Sequence, residues 1–169
     1  VDPFYNLLIF SFMTNEIAEI VEKLQLLPHP EGGFYSETYR SPTVLNDLDR
    51  SLMTCIYFLL TSENPSRFHR IKSDEMWFFH AGSALTVHTL DDRGHRENQL
   101  GLDLSKGELP QLLVPKNTIF GSSVAGENNF ALVSCVVSPG FDFADFELFT
   151  RQTLLEWYPN EERIISQLT

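Results

Sequence analysis

Ser66-Arg67-Phe68-His69-Arg70-Ile71-Lys72-Ser73-Asp74-Glu75-Met76-Trp77-Phe78-Phe79-His80-Ala81-Gly82 is the stretch that decides the fold. Its first part alternates as a strand, with His69 and Ile71 on one face and Phe68 and Arg70 on the other. Lys72-Ser73-Asp74 is a turn signal that brings Glu75 back beside His69 on the next strand. Trp77 and Phe79 share the parity of Glu75, while Met76, Phe78 and His80 take the opposite parity unless a bulge shifts the register. The reading places His69 and Glu75 together inside a barrel otherwise lined by apolar and aromatic groups.

Outward from this stretch the same period recurs. Strands are predicted over 34–40, 52–60, 67–71, 75–80, 84–90, 111–114, 118–122, 130–138 and 147–155, separated by turns rich in Gly, Pro, Asn, Asp and Ser. Before them, Thr14 or Asn15 caps a helix whose Ile17, Ile20, Val21 and Leu24 form one stripe, and Pro28 bars it from continuing. A last helix is predicted over 161–168 behind Asn160. Many short strands with even turn spacing indicate an all-β sandwich or barrel, and residues 13–169 read as one domain. Residues 1–12 are apolar but shorter than a membrane span. They read as an upstream extension or expression scar ahead of a natural start at Met13, or as a tail that docks on a neighbouring subunit.

Composition sets the outer limits. The 169 residues carry 12 Lys+Arg against 23 Asp+Glu, a formal net charge of -11, which lacks the basic footprint that nucleic acid or an anionic membrane requires. Hydrophobic residues at 43% suffice for a core without metal or disulfide staples. Cys55 and Cys135 lie in separate apolar runs with no C-x-x-C, which reads as two buried free thiols in a reducing cytoplasm.

The stretch His69-x-Ile71-x3-Glu75-x6-Gly82 resembles the first motif of the cupin superfamily, a His-x-His, a Glu and a Gly. Ile71 stands at the second His. Pro115-Lys116-Asn117-Thr118-Ile119-Phe120 resembles the second motif, Pro-x-Gly-x2-His, with Asn117 in place of Gly and Phe120 in place of the last ligand. Glu63 stands where the first motif opens with Gly, and Val124 where the second closes with Asn. The runs His29-Pro30-Glu31-Gly32-Gly33-Phe34-Tyr35-Ser36-Glu37-Thr38-Tyr39-Arg40 and Phe68 to Trp77 are similar to an uncharacterised branch of small cupins, a domain of unknown function, and the resemblance covers most of residues 14–160. That resemblance implies a jelly-roll barrel (a double-stranded β-helix), an interior pocket, and a homodimer with exchanged strands.

A catalytic zinc or non-haem iron site needs about three protein ligands. The matched positions supply only His69 and Glu75, so neither metal nor other cofactor is expected. The favoured function is small-molecule binding in the barrel, with metal-independent isomerase or epimerase chemistry on a sugar-like ligand. His69 is then the base and Glu75 its partner or the acid, and burial raises the Glu75 pKa unless His69 pairs with it. Tyr57, Ile71, Trp77, Phe79, His80 and Phe120 line the ligand site in this reading, and Tyr57 or Tyr35 supplies a further proton. Non-catalytic binding is the alternative, and a metal-dependent oxygenase ranks third. Glu31-Gly32-Gly33 is read as a turn, His29 and His95 as surface residues, and His88 as a wall residue of either face.

Overall fold

The computed structural model describes residues 15–169, so the readings made on residues 1–14 lie outside it. Helix α1 (Asn15–Lys23) leads into strands β1 (Leu27–Pro28) and β2 (Phe34–Arg40). After a small hairpin, β3 (Val44–Leu45) and β4 (Arg50–Ser51), come β5 (Thr54–Thr61), β6 (Ser66–Arg70), β7 (Asp74–Gly82), β8 (Leu85–Asp91) and β9 (Gly94–Leu100). Strands β10 (Gln111–Val114), β11 (Ile119–Val124), β12 (Phe130–Ser138) and β13 (Glu147–Leu148) complete the sheets. Helices α2 (Arg151–Trp157) and α3 (Glu162–Gln167) follow.

The strands form a six-stranded sheet, β1-β2-β5-β12-β7-β10, facing a five-stranded one, β13-β6-β11-β8-β9. Neighbours within each are antiparallel. This is a jelly roll: two antiparallel sheets whose inward faces share one core. Phe58, Trp77, Val133 and Cys135 from the first sheet meet Leu85, Val87, Phe120 and Val124 from the second. The outer face of the first sheet is covered by α1, where Ile17 and Val21 pack on Phe34, Leu59 and Phe130. Leu154, Ile164, Ile165 and Leu168 cover Phe68, Leu90 and Ile119 on the second.

The turn at Lys72-Ser73-Asp74 does more than reverse the chain. Because β6 and β7 belong to different sheets, the turn carries the chain across the barrel. His69 and Glu75 therefore stand on facing walls rather than on paired strands. Two signature positions keep their backbone roles. Asn117 holds φ 63, and Gly82 holds φ 93 where an added Cβ would meet the Phe130 carbonyl oxygen at 2.1 Å.

Three expectations about elements need correction. Residues 147–155 are a two-residue strand followed by α2, because the Thr150 side chain accepts the Thr153 N–H and starts a helix that buries Leu154. Strand β9, all polar from His95 to Gln99, was not anticipated; it pairs with β8 at the sheet edge, where one row of apolar contacts is not required. Asn160 makes no cap; a 3-10 turn from Pro159 leads into α3. Among the described residues no helix is long and apolar enough to cross a membrane.

Candidate functional site

A cavity of about 320 Å³ opens between the sheets at one end of the barrel. His69 and Ile71 reach it from β6 and its exit, Glu75 from β7, Ile56 and Phe58 from β5, and Cys135 from β12. Tyr35 and Glu37 reach it from β2, and His29 and Glu31 from the loop before that strand. Tyr35 and Glu37 share one face of β2, and the turn at Gly32 and Gly33 brings His29 and Glu31 to the same cavity.

The expected site residues divide accordingly. His69, Glu75 and Ile71 line the cavity; Tyr57, Trp77, Phe79, His80 and Phe120 are not among its lining residues. Tyr57 faces outward with Leu59, packed toward α1. Trp77 and Phe120 fill the closed part of the barrel, their rings edge to face at 6.2 Å, and Phe79 packs against that cluster. His80 is the extra residue of a bulge opposite Leu132 and Val133, and it meets the Ser134 hydroxyl at 2.5 Å on the exposed side. Of the two tyrosines weighed as proton donors, Tyr35 is the one at the cavity.

His29 is not a surface residue. Its ring is buried against Tyr35 at 4.7 Å and stacks on Phe143 at 5.9 Å. Glu31 is buried as well, because the glycines after it let the loop press against the β5–β6 connection. An added Cβ on Gly32, at φ 114, would meet the Pro65 carbonyl oxygen at 2.0 Å. Arg67 locks the same loop: its backbone N–H donates to the Glu31 carbonyl at 2.8 Å and its guanidinium to the Pro30 carbonyl.

The resulting polar cluster fixes where protons go. The His69 Nδ1–H donates to the Arg67 carbonyl at 2.7 Å, since a carbonyl only accepts. His69 Nε2 then faces Glu31 Oε2 at 3.3 Å. Glu31 Oε1 accepts from the Ser66 hydroxyl at 2.7 Å, and the lone pair on His29 Nδ1 accepts the Glu31 backbone N–H at 3.3 Å. One proton is left to lie between Glu31 and His69.

Burial acts on both groups in the direction of neutrality. Desolvation pushes the Glu31 carboxyl up, against His29, the Ser66 hydroxyl and Arg67. It pulls His69 down, against the Arg67 carbonyl and Glu75. Glu75 is pushed up to about 7, first by burial and then by the Glu31 charge, with His69 opposing. Cys135 beside it is held as the thiol. The pocket thus holds a proton on Glu75 near neutrality and a neutral imidazole on the opposite wall. At the mouth Arg40 is bound twice by Glu37, at 2.7 and 2.9 Å, and donates to the Phe141 carbonyl at 3.2 Å.

Comparison with known families matches residues 18–149 to the model of the Cupin superfamily (DUF985). The chain is a cupin. Among relatives of this cupin, the uncharacterized protein YML079W of Saccharomyces cerevisiae is 29% identical, over 78% of this chain and 74% of that one. The crystal structure of protein SO0799 from Shewanella oneidensis is 48% identical, with TM-score 0.85, covering 89% of this chain and 95% of that one. A hypothetical protein from Leishmania major is 44% identical, with TM-score 0.84, covering 92% and 98%. Bacillus subtilis oxalate decarboxylase aligns at 13% identity and TM-score 0.54, over 88% of this chain and 38% of that one, a likeness of fold alone.

The metal that cupins often carry does not fit this cavity. Ile71 and Phe120 offer no donor atom, and the Phe120 ring lies 4.1 Å from that of His69. His69 Nε2 is engaged by Glu31. Among the described residues, the group whose three ligand atoms lie within 4.8 Å of one another is elsewhere.

Sequence reasoning missed His29 and Glu31. The Pro and Gly residues around them announce a turn, and the turn is real. No local spacing could have found them, because the turn at Gly32 and Gly33 is held in place by the distant Pro65 and Arg67.

Proposed function

We propose that this cupin binds a small polar carbonyl compound, of about monosaccharide size, and moves a proton on it without a metal. The observation that carries the reading is the facing of His69, its tautomer set by the Arg67 carbonyl and its Nε2 joined to Glu31, with Glu75 across the cavity. Isomerisation or epimerisation next to a carbonyl takes a proton from carbon and returns one to carbon or oxygen. The Glu31–His69 pair, which shares one proton, is the base, taking the substrate proton on the Glu31 carboxylate while His69 Nε2 keeps its own; protonated Glu75 is the acid, with Tyr35 lining the same cavity. A pKa of about 7 suits an acid that must both give and recover its proton near neutrality.

Size narrows the substrate. Ligand pockets begin at about 300 Å³, and this cavity is about 320 Å³. It suits one sugar ring or a comparable hydroxy-carbonyl compound. The aromatic wall of His29, Tyr35 and Phe58 offers flat faces to such a ring.

The test is exchange in deuterated water. Free aldoses, ketoses and their phosphates are incubated with the protein, and loss of the proton next to the carbonyl is followed by NMR. Exchange with one of them, abolished by His69→Ala and strongly slowed by Glu75→Gln, supports the reading. Saturable binding of the same compounds without exchange leaves a non-catalytic binding protein. We also propose a homodimer, supported by the edge strand β1 with Leu27 65% exposed; a single-chain mass in analytical ultracentrifugation would remove it.

A further inference from the structure

A second cluster of titratable side chains lies on the opposite side of the five-stranded sheet from the cavity. Leu85 and Val87 of β8 point into the barrel core, so His88 has the outward parity. His95 and Glu97 of β9 stand beside it, with Glu97 directly opposite in register. His88 Nδ1 is 2.9 Å from His95 Nε2, and Glu97 Oε1 lies 3.8 Å from the first and 3.9 Å from the second.

We propose that His88, His95 and Glu97 form a binding site for a divalent transition metal of the zinc class. Zinc holds imidazole nitrogen and carboxylate oxygen at about 2.0–2.2 Å in a tetrahedron, which sets neighbouring donors roughly 3.4 Å apart. The three separations in this cluster bracket that value; the two imidazoles, now 20° from parallel with their nitrogens facing, turn to direct both lone pairs at the ion. Two imidazoles and one carboxylate are a donor set that favours zinc and its neighbours over calcium or magnesium.

The support behind the triangle is that of a metal site. His88 Nε2 is 2.9 Å from the Ser123 hydroxyl. With Nε2–H donating to that oxygen, the Nδ1 lone pair is presented to the cluster, as an outer partner of a ligating histidine does. Without a cation, two ring nitrogens facing at 2.9 Å must share a proton; the metal takes the place of that proton. Access is open, since the Glu97 side chain is 46% exposed while that of His88 is 5% exposed. The charges packed on the cluster come from the chain after α2. Arg163 adds positive charge near His88, and Glu161, whose Oε1 accepts the His95 backbone N–H at 3.3 Å, offsets it. Three protein ligands leave a fourth position facing solvent. Coordination also ties edge strand β9 to β8 by its side chains, so the loaded protein melts at a higher temperature.

The test uses the full chain, without a histidine tag, stripped with a chelator and titrated with zinc chloride alone by calorimetry. The expected result is one zinc per chain, and cobalt(II) in its place gives the visible bands of four-coordinate cobalt. Glu97→Gln weakens zinc at least tenfold and His95→Ala removes it, with unchanged far-ultraviolet circular dichroism. Because Glu97 is exposed, its variant keeps the test valid if His95→Ala fails to fold. His69→Ala leaves zinc binding unchanged. Absence of zinc binding, binding that survives both cluster variants, or binding lost in His69→Ala would each overturn the site. None of these outcomes bears on proton exchange in the cavity.

Discussion

Two clusters in this cupin are made from the same side chains and face opposite ways. Inside the barrel, His29, His69 and Glu31 stand with Glu75 out of water; outside, His88, His95 and Glu97 sit at a sheet edge with the carboxylate half in solvent. The inner carboxyls are driven to hold protons, because burial penalises their charge more than the imidazoles compensate it. The ligand atoms of the outer trio lie within 4.8 Å of one another. On the two proposals above, solvent access rather than residue type is what separates proton chemistry inside from metal binding outside.

The contrast can be broken most directly at Gly32. Its substitution by Ala forces a Cβ into the Pro65 carbonyl at a φ of 114. The expected loss in a urea melt is at least about 4 kcal/mol, the range of backbone collisions. A Gly32→Ala protein as stable as wild type would show that the loop can retreat and that Glu31 is not locked inside.

Glu75→Gln gives the next largest effect, and its sign follows from linkage. With a folded pKa of about 7 against an ordinary 4.5, the folded state holds a proton between those pH values that the unfolded chain has released. The Glu75 contribution to stability therefore falls as pH rises from about 4.5 through 7 and levels off above, against the opposite slope from His29, His69 and His88, whose pKa values burial pulls down. The Gln variant lacks the Glu75 slope. Its stability relative to wild type should improve by roughly 3 kcal/mol between pH 4.5 and 8. Parallel curves would mean that Glu75 is ionised inside the barrel.

The outer cluster predicts smaller changes. Ser123→Ala removes the hydroxyl behind His88 and should weaken zinc about tenfold in the calorimetric titration; unchanged affinity would deny it a positioning role. Thr150→Ala removes the cap of α2 and should cost about 1 kcal/mol in thermal unfolding. Zinc affinity and the cavity should both stay as they are, because the cap touches neither.

What could be read from the sequence depended on how much each segment's neighbours matter. Strands 34–40, 111–114 and 130–138 are found where their alternation or apolar runs placed them. In 130–138 burial on both faces had selected the side chains, whereas 34–40 and 111–114 are exposed over half or more of their length and were marked by aromatic and branched residues between turn signals. Strand β9 was invisible because an edge strand with His95, Arg96, Glu97, Asn98 and Gln99 satisfies its pairing with polar residues. Helix α2 was read as a strand because Phe149, Leu154 and Leu155 are bulky and apolar, and only the Thr150 cap settles the period. His69 and Glu75 were legible from motif spacing, yet the turn between them hid that they face across two sheets. His29 and Glu31 were hidden more deeply, since their burial depends on the distant Pro65 and Arg67.

The buried carboxyls also change the arithmetic of the whole chain. A formal charge of -11 counts every Asp and Glu as ionised. The folded protein carries less negative charge than that at neutral pH, because Glu75, pushed up to about 7, retains part of its proton, and burial pushes Glu31 in the same direction. The unfolded chain has given those protons up. On folding at pH 7 Glu75 takes up part of a proton, while His29, His69 and His88, pulled down by burial, give theirs up; Glu75→Gln should therefore shift the proton balance of folding toward release, read from how the measured heat varies with the buffer's ionisation enthalpy.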